Sequence, residues 1–206
     1  MSVSYAHVWI VLWTTVDAWD DERMEISDPL DSVRISPQAP SQSDIDEYRR
    51  LSAEQAAGVG IVSTVWRGRD YAATVSAYLS VSYDPPTLLV SLYEGSRIAQ
   101  AVASSGQWAL TLLTADQQRE ANWLASPGTP LEGLLSQVPF RRGPATGSAV
   151  IEGGLAYFEV ATTAVHEEAT HLLVVGNVVG MGSGGPWHPG LGPLLHYAGD
   201  YRKIKP

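Results

Sequence analysis

Residues 73–86 read ATVSAYLSVSYDPP. Val75, Tyr78, Leu79, Val81 and Tyr83 are strand formers, and the Pro85-Pro86 pair ends the run because proline cannot donate to a sheet ladder. Between the strand formers sit Thr74, Ser76, Ala77, Ser80 and Ser82, a density of small and hydroxyl side chains that packing alone does not require. Two readings are open from this stretch by itself. The hydroxyls can simply be the wet face of a strand. Alternatively, small side chains let backbone N–H groups approach a planar or phosphorylated ligand, and the hydroxyls supply further hydrogen bonds.

Working outward, strand signals recur on both sides. They cover 59–66, a polar turn at 67–70, then 71–83, and 87–93 after the prolines. Residues 108–113 (WALTLL) are apolar almost without interruption, which predicts a strand buried on both faces in the middle of a barrel. Two long strands are expected at 156–165 and 171–179, then a Gly- and Pro-rich loop at 180–193 and a last strand at 194–197. Helices are expected at 44–56, 96–105 and 116–125. The first has Ser43 and Asp46 as a capping box and Ile45, Tyr48, Leu51 and Ala56 as its apolar face, with Gly58 after it. The second has Ile98, Ala99, Val102 and Ala103 on one face; the third is stopped by Pro127 and Gly128. Many short strands with a few inserted helices and no repeat predict a mainly β fold, a closed antiparallel barrel with helices at its rim.

The chain has 206 residues, enough for one well-buried domain with an appendage. Residues 27–43 have linker composition, so 1–43 reads as an acidic N-terminal arm and 44–206 as the folded domain. The net charge of −9 is uneven: residues 1–47 hold ten acidic and two basic side chains, net −8, which leaves −1 for the rest. Such a body offers no electrostatic footprint for nucleic acid. No membrane partner is expected either. The apolar stretch YAHVWIVLWTTV at 5–16 falls short of the roughly 20 residues of a spanning helix, and no basic residue precedes it as a secretory signal requires. It reads as a strand or packing arm, a disordered tail, or a segment upstream of a start at Met24. With no cysteine in the chain, disulfides and thiolate chemistry are excluded, and a reducing, cytoplasmic setting is expected.

The order of landmarks resembles the flavin reductase family, the split-barrel NAD(P)H:flavin oxidoreductases that serve two-component flavin monooxygenases. The family pattern Gly-x-Thr-x-(Asn/Ser)-(Ser/Ala)-(Phe/Tyr)-x-Ser-Val-Ser-x-x-Pro is matched by Thr74, Ser76, Ala77, Tyr78, Ser80, Val81, Ser82 and Pro85, with Ala72 at the Gly position. Residues 56–64 (AAGVGIVST) resemble the family's opening run, Asp116-Gln117 its Asp-Gln, and Leu124-Ala125-Ser126 its Phe-Ala-Gly. Ser96 and Arg97 stand where the family places a small residue and a cation beside the flavin phosphate. A helix starting there would aim free N–H groups and its positive end at an anion. Thr170-His171, in THLLVVGNV, resembles Asp-His-x-x-x-x-Gly-x-Val, and the closing LLHYAGDYRKI carries the family's Tyr as Tyr201. Thr170 replaces the usual Asp, and Asp200 stands where a basic residue is frequent.

The resemblance covers about residues 48–205. It implies a split-barrel homodimer that binds FMN or FAD and takes hydride from NADH or NADPH. Thr74, Val75, Ser76, Ala77 and Ser80 would hold the isoalloxazine and ribityl chain, Ser96 and Arg97 the phosphate. Ala125, Ser126 and Tyr201, the last in the closing strand, would also bind the cofactor, and His171 would be catalytic at the nicotinamide face. Reduced flavin would pass to a partner monooxygenase. Two alternatives stay open: a flavin-binding accessory protein without turnover, motivated by Thr170, Asp200 and the acidic arm, and an enzyme that reduces an organic substrate with bound FMN.

Other constellations fall away. His166 and His171 in HEEATH are five apart, a spacing that suits neither a helical nor a strand metal pair, so no metal is expected. Neither a Rossmann glycine pattern nor a P-loop occurs. Of the seven tryptophans, Trp108 and Trp123 read as core; Trp66 and Trp187 read as buried, with a dimer interface or ligand mouth as the alternative.

Overall fold

A computed structural model describes residues 40–126, 131–185 and 191–204. Most of the arm expected at 1–43, the stretch 5–16, Met24, Pro127, Gly128 and Trp187 lie outside the described residues. In chain order the elements are α1 (Gln42–Ser52), β1 (Ala57–Gly58), β2 (Gly60–Trp66), β3 (Arg69–Val75), β4 (Tyr78–Tyr83), β5 (Pro86–Tyr93), α2 (Arg97–Ser105), β6 (Gln107–Leu112), α3 (Gln118–Ala125), β7 (Phe140–Arg142), β8 (Ala149–Ile151), β9 (Ala156–Glu168), β10 (His171–Ser183), β11 (Leu194–Tyr197) and β12 (Asp200–Lys203).

Seven strands form one antiparallel sheet in the order β3-β2-β6-β9-β10-β5-β4. β6 is an interior strand, between β2 and β9, and Trp108, Ala109, Leu110 and Thr111 are wholly buried there, as their nearly continuous apolar run predicts. β3 and β4 are consecutive in the chain yet occupy opposite edges of the sheet. Only Ser76 and Ala77 separate them, so the sheet must curl until its two edges meet across a seam. Tyr78 crosses that seam and packs on Gly58 and Gly60, where a Cβ would lie 2.6 Å from its hydroxyl and 3.4 Å from its ring respectively. β1 and the β11–β12 hairpin close one end. Val59 N–H donates to Leu194 O, Leu194 N–H to Leu113 O, and Leu113 N–H to Val59 O, a three-way exchange at 2.9–3.0 Å.

Period-two alternation along β2 sends its side chains into two cores. Val62 joins Trp108, Val160, Val174 and the buried face of α2, which carries Ile98, Ala99 and Val102. Ile61 joins Leu113, Ile151, Leu194 and the buried face of α3, Ala121 and Leu124. Each helix thus seals one side of the barrel wall. No helix among the described residues is long and apolar enough to cross a membrane.

Several expected boundaries move. α1 begins two residues early because Ser41 and Asp44 form the reciprocal cap, Asp44 N–H donating to Ser41 Oγ (3.2 Å) and Ser41 N–H to Asp44 Oδ2 (2.9 Å). It also ends at Ser52 rather than running to 56. The strand expected at 71–83 is two strands, since the chain must leave one sheet edge and join the other at Ser76-Ala77. α3 starts at Gln118, two residues later than expected, because Gln117 accepts from Thr114 N–H (3.0 Å) and donates to Glu152 O (2.8 Å). β9 runs on past its expected end to a turn at Ala169, which takes a positive φ of 51°, and β10 leaves that turn paired with β9 on one side and β5 on the other. The closing segment is a hairpin of two strands, β11 and β12, with Tyr201 on the second, and the β7–β8 hairpin arises in a Gly- and Pro-rich stretch where no strand was expected.

Candidate functional site

β3 lies beside the N-terminus of α2 and the C-terminus of α3, and a cleft of about 340 Å³ opens where the three meet. Ala72 and Ala73 of β3 offer nearly bare backbone on one wall, Ser96 and Arg97 head the second, Ser126 stands at the third, and Leu131 and Leu134 add apolar surface. Ser96 caps α2 with both functions of its hydroxyl: it accepts from Ala99 N–H (3.2 Å) and donates to Tyr93 O (2.6 Å). The first-turn amides of a helix lack intrahelical acceptors, so the α2 terminus presents donors and a positive dipole end to the cleft. Arg97 is exposed beside them. The preceding Gly95 is packed on the Tyr93 ring, and a Cβ there would sit 2.7 Å from it, so the turn into α2 admits no larger residue without shifting that ring. An anionic group on a flat ligand fits this lining.

The remaining residues singled out by sequence fall around this cleft in different ways. Thr74 Oγ1 donates to Ala121 O (2.7 Å), tying β3 to α3 and leaving only its lone pairs for a ligand. Val75 is half-buried against the first core, and Ser76 and Ala77 are exposed on the seam. Ala125 ends α3; Ser126 follows as its cap residue and returns its hydroxyl to Asn122 O (2.9 Å). Ser80 does not line the cleft. It lines an apolar groove of about 590 Å³ with Tyr78, Leu112, Phe158 and Met181.

His171 opens β10, exposed, paired with Tyr93 on one side and Glu168 on the other. Its Nδ1 lies 3.0 Å from Thr170 Oγ1, and its ring stands edge-on to Tyr93 at 6.0 Å. The Tyr93–Ser96 turn links it to the cleft through Ser96 N–H donating to Tyr93 O (2.9 Å), while Glu94 N–H donates to Thr170 O (3.0 Å). Thr170 thus stands at the position of the family's usual Asp, with its hydroxyl at the Nδ1 of His171. Tyr201 sits opposite His196 on the β11–β12 hairpin, half-buried against the second core, and burial raises its phenol above the ordinary value. Ser96, Arg97 and Ser126 are therefore brought together beside β3, whereas Thr74, Val75, Ser76, Ala77, Ser80, Ala125, His171 and Tyr201 stand outside the cleft lining.

Sequence reasoning missed Leu131 and Leu134, which sit in a stretch read as irregular; their i, i+3 spacing is the signal available for them. It also missed the ring partner of His171, Tyr93. Trp66 is half-buried under the Arg67 guanidinium, 4.4 Å from its ring centre. Among the described residues no three His, Asp or Glu side chains converge on a metal site.

Compared with known proteins, residues 52–205 match the family model of the flavin reductase like domain. The chain belongs to the flavin reductase like domain family. Among its relatives, an FMN reductase (NADH) RutF of Ancylobacter novellus is 30% identical over 88% of this chain and 97% of its own. A flavin-dependent monooxygenase reductase subunit, HsaB, of Mycobacterium tuberculosis is 28% identical over 81% of this chain and 86% of its own. A solved nitrilotriacetate monooxygenase component B homologue from Mycobacterium thermoresistibile superimposes with a TM-score of 0.73 at 28% identity, covering 79% of this chain and 88% of that one. The chain has the split-barrel fold of the solved flavin reductases on which it superimposes.

Proposed function

We propose that the protein is an NAD(P)H-dependent flavin reductase that passes hydride to FMN or FAD and supplies reduced flavin to a partner monooxygenase. The cleft at the meeting of β3, α2 and α3 carries this reading, because it joins bare strand backbone to an anion-attracting helix terminus in a chain of the flavin reductase family. When bound, the flavin accepts a hydride from the reduced nicotinamide; that chemistry belongs to the two cofactors. The protein's contribution is to bind and orient. The Ser96-Arg97 turn would hold the phosphate, the backbone and hydroxyls of Thr74, Val75, Ser76 and Ala77 the ring and ribityl chain, and Ala125 and Ser126 the facing side. His171, fixed at Nδ1 by Thr170, would leave Nε2 to meet the nicotinamide side.

The reading extends to a cytoplasmic homodimer. β4 and β10 present Leu79, Val81, Tyr83, Val179 and Met181, each at least half exposed, around the apolar groove. A second copy covering that face would remove a patch that a soluble monomer rarely leaves open. Light scattering of the purified chain should report a dimer, and Met181→Glu should shift it toward monomer.

Mixing the purified protein with FMN or FAD and either reduced nicotinamide cofactor should consume the nicotinamide absorbance and bleach the flavin band. No oxidation above a protein-free control, with all four combinations, would overturn the reading. Tight flavin binding without turnover would favour an accessory protein instead, the outcome that Asp200 and the hydroxyl at Thr170 make worth testing.

A further inference from the structure

A second cleft, of about 530 Å³, opens at the start of β3 and continues the first, because Leu131 and Leu134 line both. The two lie in sequence along one strand: Gly68, Arg69 and Asp70 border the second, and Tyr71, Ala72 and Ala73 the first. Three residues of strand advance about 10 Å. A ligand whose ring lies at the end of β3 and whose phosphate lies at Ser96 therefore has a roomy continuation past that phosphate.

The second cleft combines apolar, acidic and basic side chains in its lining. Leu131, Leu135 and Phe140 give apolar walls for a base, Asp70 and Glu132 give acceptors for a ribose diol, and exposed Arg69 gives a forked donor for a further phosphate. The Asp70 carboxylate does not repel that phosphate outright, because Arg142 grips both of its oxygens, Nη2 at 2.9 Å. We infer that the protein is built to take FAD in preference to FMN, with the adenosine half of the flavin in this second cleft and Arg69 as its phosphate contact. The inference rests on the reading above, in which the first cleft holds the flavin phosphate.

Equilibrium titration of the intact chain with FMN and with FAD, read by flavin fluorescence in the absence of nicotinamide, tests it. FAD should bind about tenfold or more tightly than FMN. Arg69→Ala, at an exposed strand end, should cut that preference to about threefold or less by weakening FAD while FMN affinity stays within about twofold. Ser136→Trp, which fills the second cleft from its exposed rim, should abolish the preference in the same way. Equal affinity for the two flavins, or variants that weaken both alike, would overturn the inference while leaving the flavin site intact. An unchanged flavin preference with a raised KM for NADH in both variants would also overturn it, by assigning the second cleft to the adenosine half of the reductant. Binding of neither flavin would instead overturn the underlying reading.

Discussion

Truncating Glu159 to alanine should destabilise the fold by about 3 kcal/mol, although the residue touches neither cleft lining. Glu159 is wholly buried on the face of β9 covered by the β7–β8 hairpin. Its Oε1 accepts from Ala145 N–H (3.0 Å), Thr146 N–H (2.7 Å) and Thr146 Oγ1–H (2.9 Å), so one carboxylate oxygen organises the Gly143–Gly147 turn. Gly143 lies so close that a Cβ there would fall 2.2 Å from Oε1, and Gly180 of β10 faces the other oxygen. Hydrogen bonds to a charged acceptor contribute about 1.5–3 kcal/mol each. Two effects reduce the sum. The turn is partly exposed, so water can satisfy some of the released donors, and Oε2 has no partner among the described residues, so burial of the charge costs free energy. Removing one member of a buried charged network typically costs about 3–5 kcal/mol, and the partial exposure of the turn sets the expectation at the lower end.

Glu159→Gln keeps the acceptor and volume while removing the charge, and should lose only about 1–2 kcal/mol. Urea unfolding followed by tryptophan fluorescence measures both, and in thermal melts the alanine variant should lie about 6–12 °C below the parent. Hydrogen exchange adds a local readout, because the amides of Ala145 and Thr146 should lose protection before those of β6. An alanine variant within about 1 kcal/mol of the parent would refute the assignment of the turn to this carboxylate.

His171→Asn should lower kcat/KM by about tenfold or more while leaving the unfolding free energy within about 0.5 kcal/mol, because the side chain is exposed and outside both cores; steady-state kinetics and urea melts separate the two effects. Ser96→Ala removes the α2 cap and should cost about 1 kcal/mol and weaken flavin binding; stability lost with flavin affinity unchanged would contradict a phosphate site at that turn. Burial of Tyr78 raises its phenol above the ordinary value, so above about pH 10 the unfolded chain gives up this proton before the folded one does. Stability should therefore be intact below that pH and fall as the pH rises through the folded value, with a shallower fall in Tyr78→Phe measured by pH-dependent denaturation.

The central strand was legible in the sequence because WALTLL is apolar on both faces, and only a strand covered on both sides tolerates that. The site's outline was legible through Ser96, a capping side chain ahead of an amphipathic helix, a local signal readable without the fold. The break at Ser76-Ala77 was hidden, since the strand preferences run straight through 71–83 and only barrel closure forces the chain to change edges. Glu159 gave no usable signal. Its donors lie 13 and 14 residues away in a Gly-Pro turn, and an acid in an apolar strand ordinarily points to solvent. The second cleft was equally invisible, because its walls come from β3, β7 and the irregular stretch before β7, brought together by packing rather than by any local pattern.

The seam between β3 and β4 has a mechanical consequence. Within the seven-stranded sheet no ladder joins its two edges, so along that line the barrel is held by two linking residues, the Tyr78 ring and whatever lies across the gap. A flavin seated on residues 74–77 would act there as a removable rivet, and the barrel would be stiffest when loaded and loosest just after release. The amides flanking Ser76 would then report occupancy directly, slow to exchange with the ligand in place and fast without it, before any change is visible in the central strands.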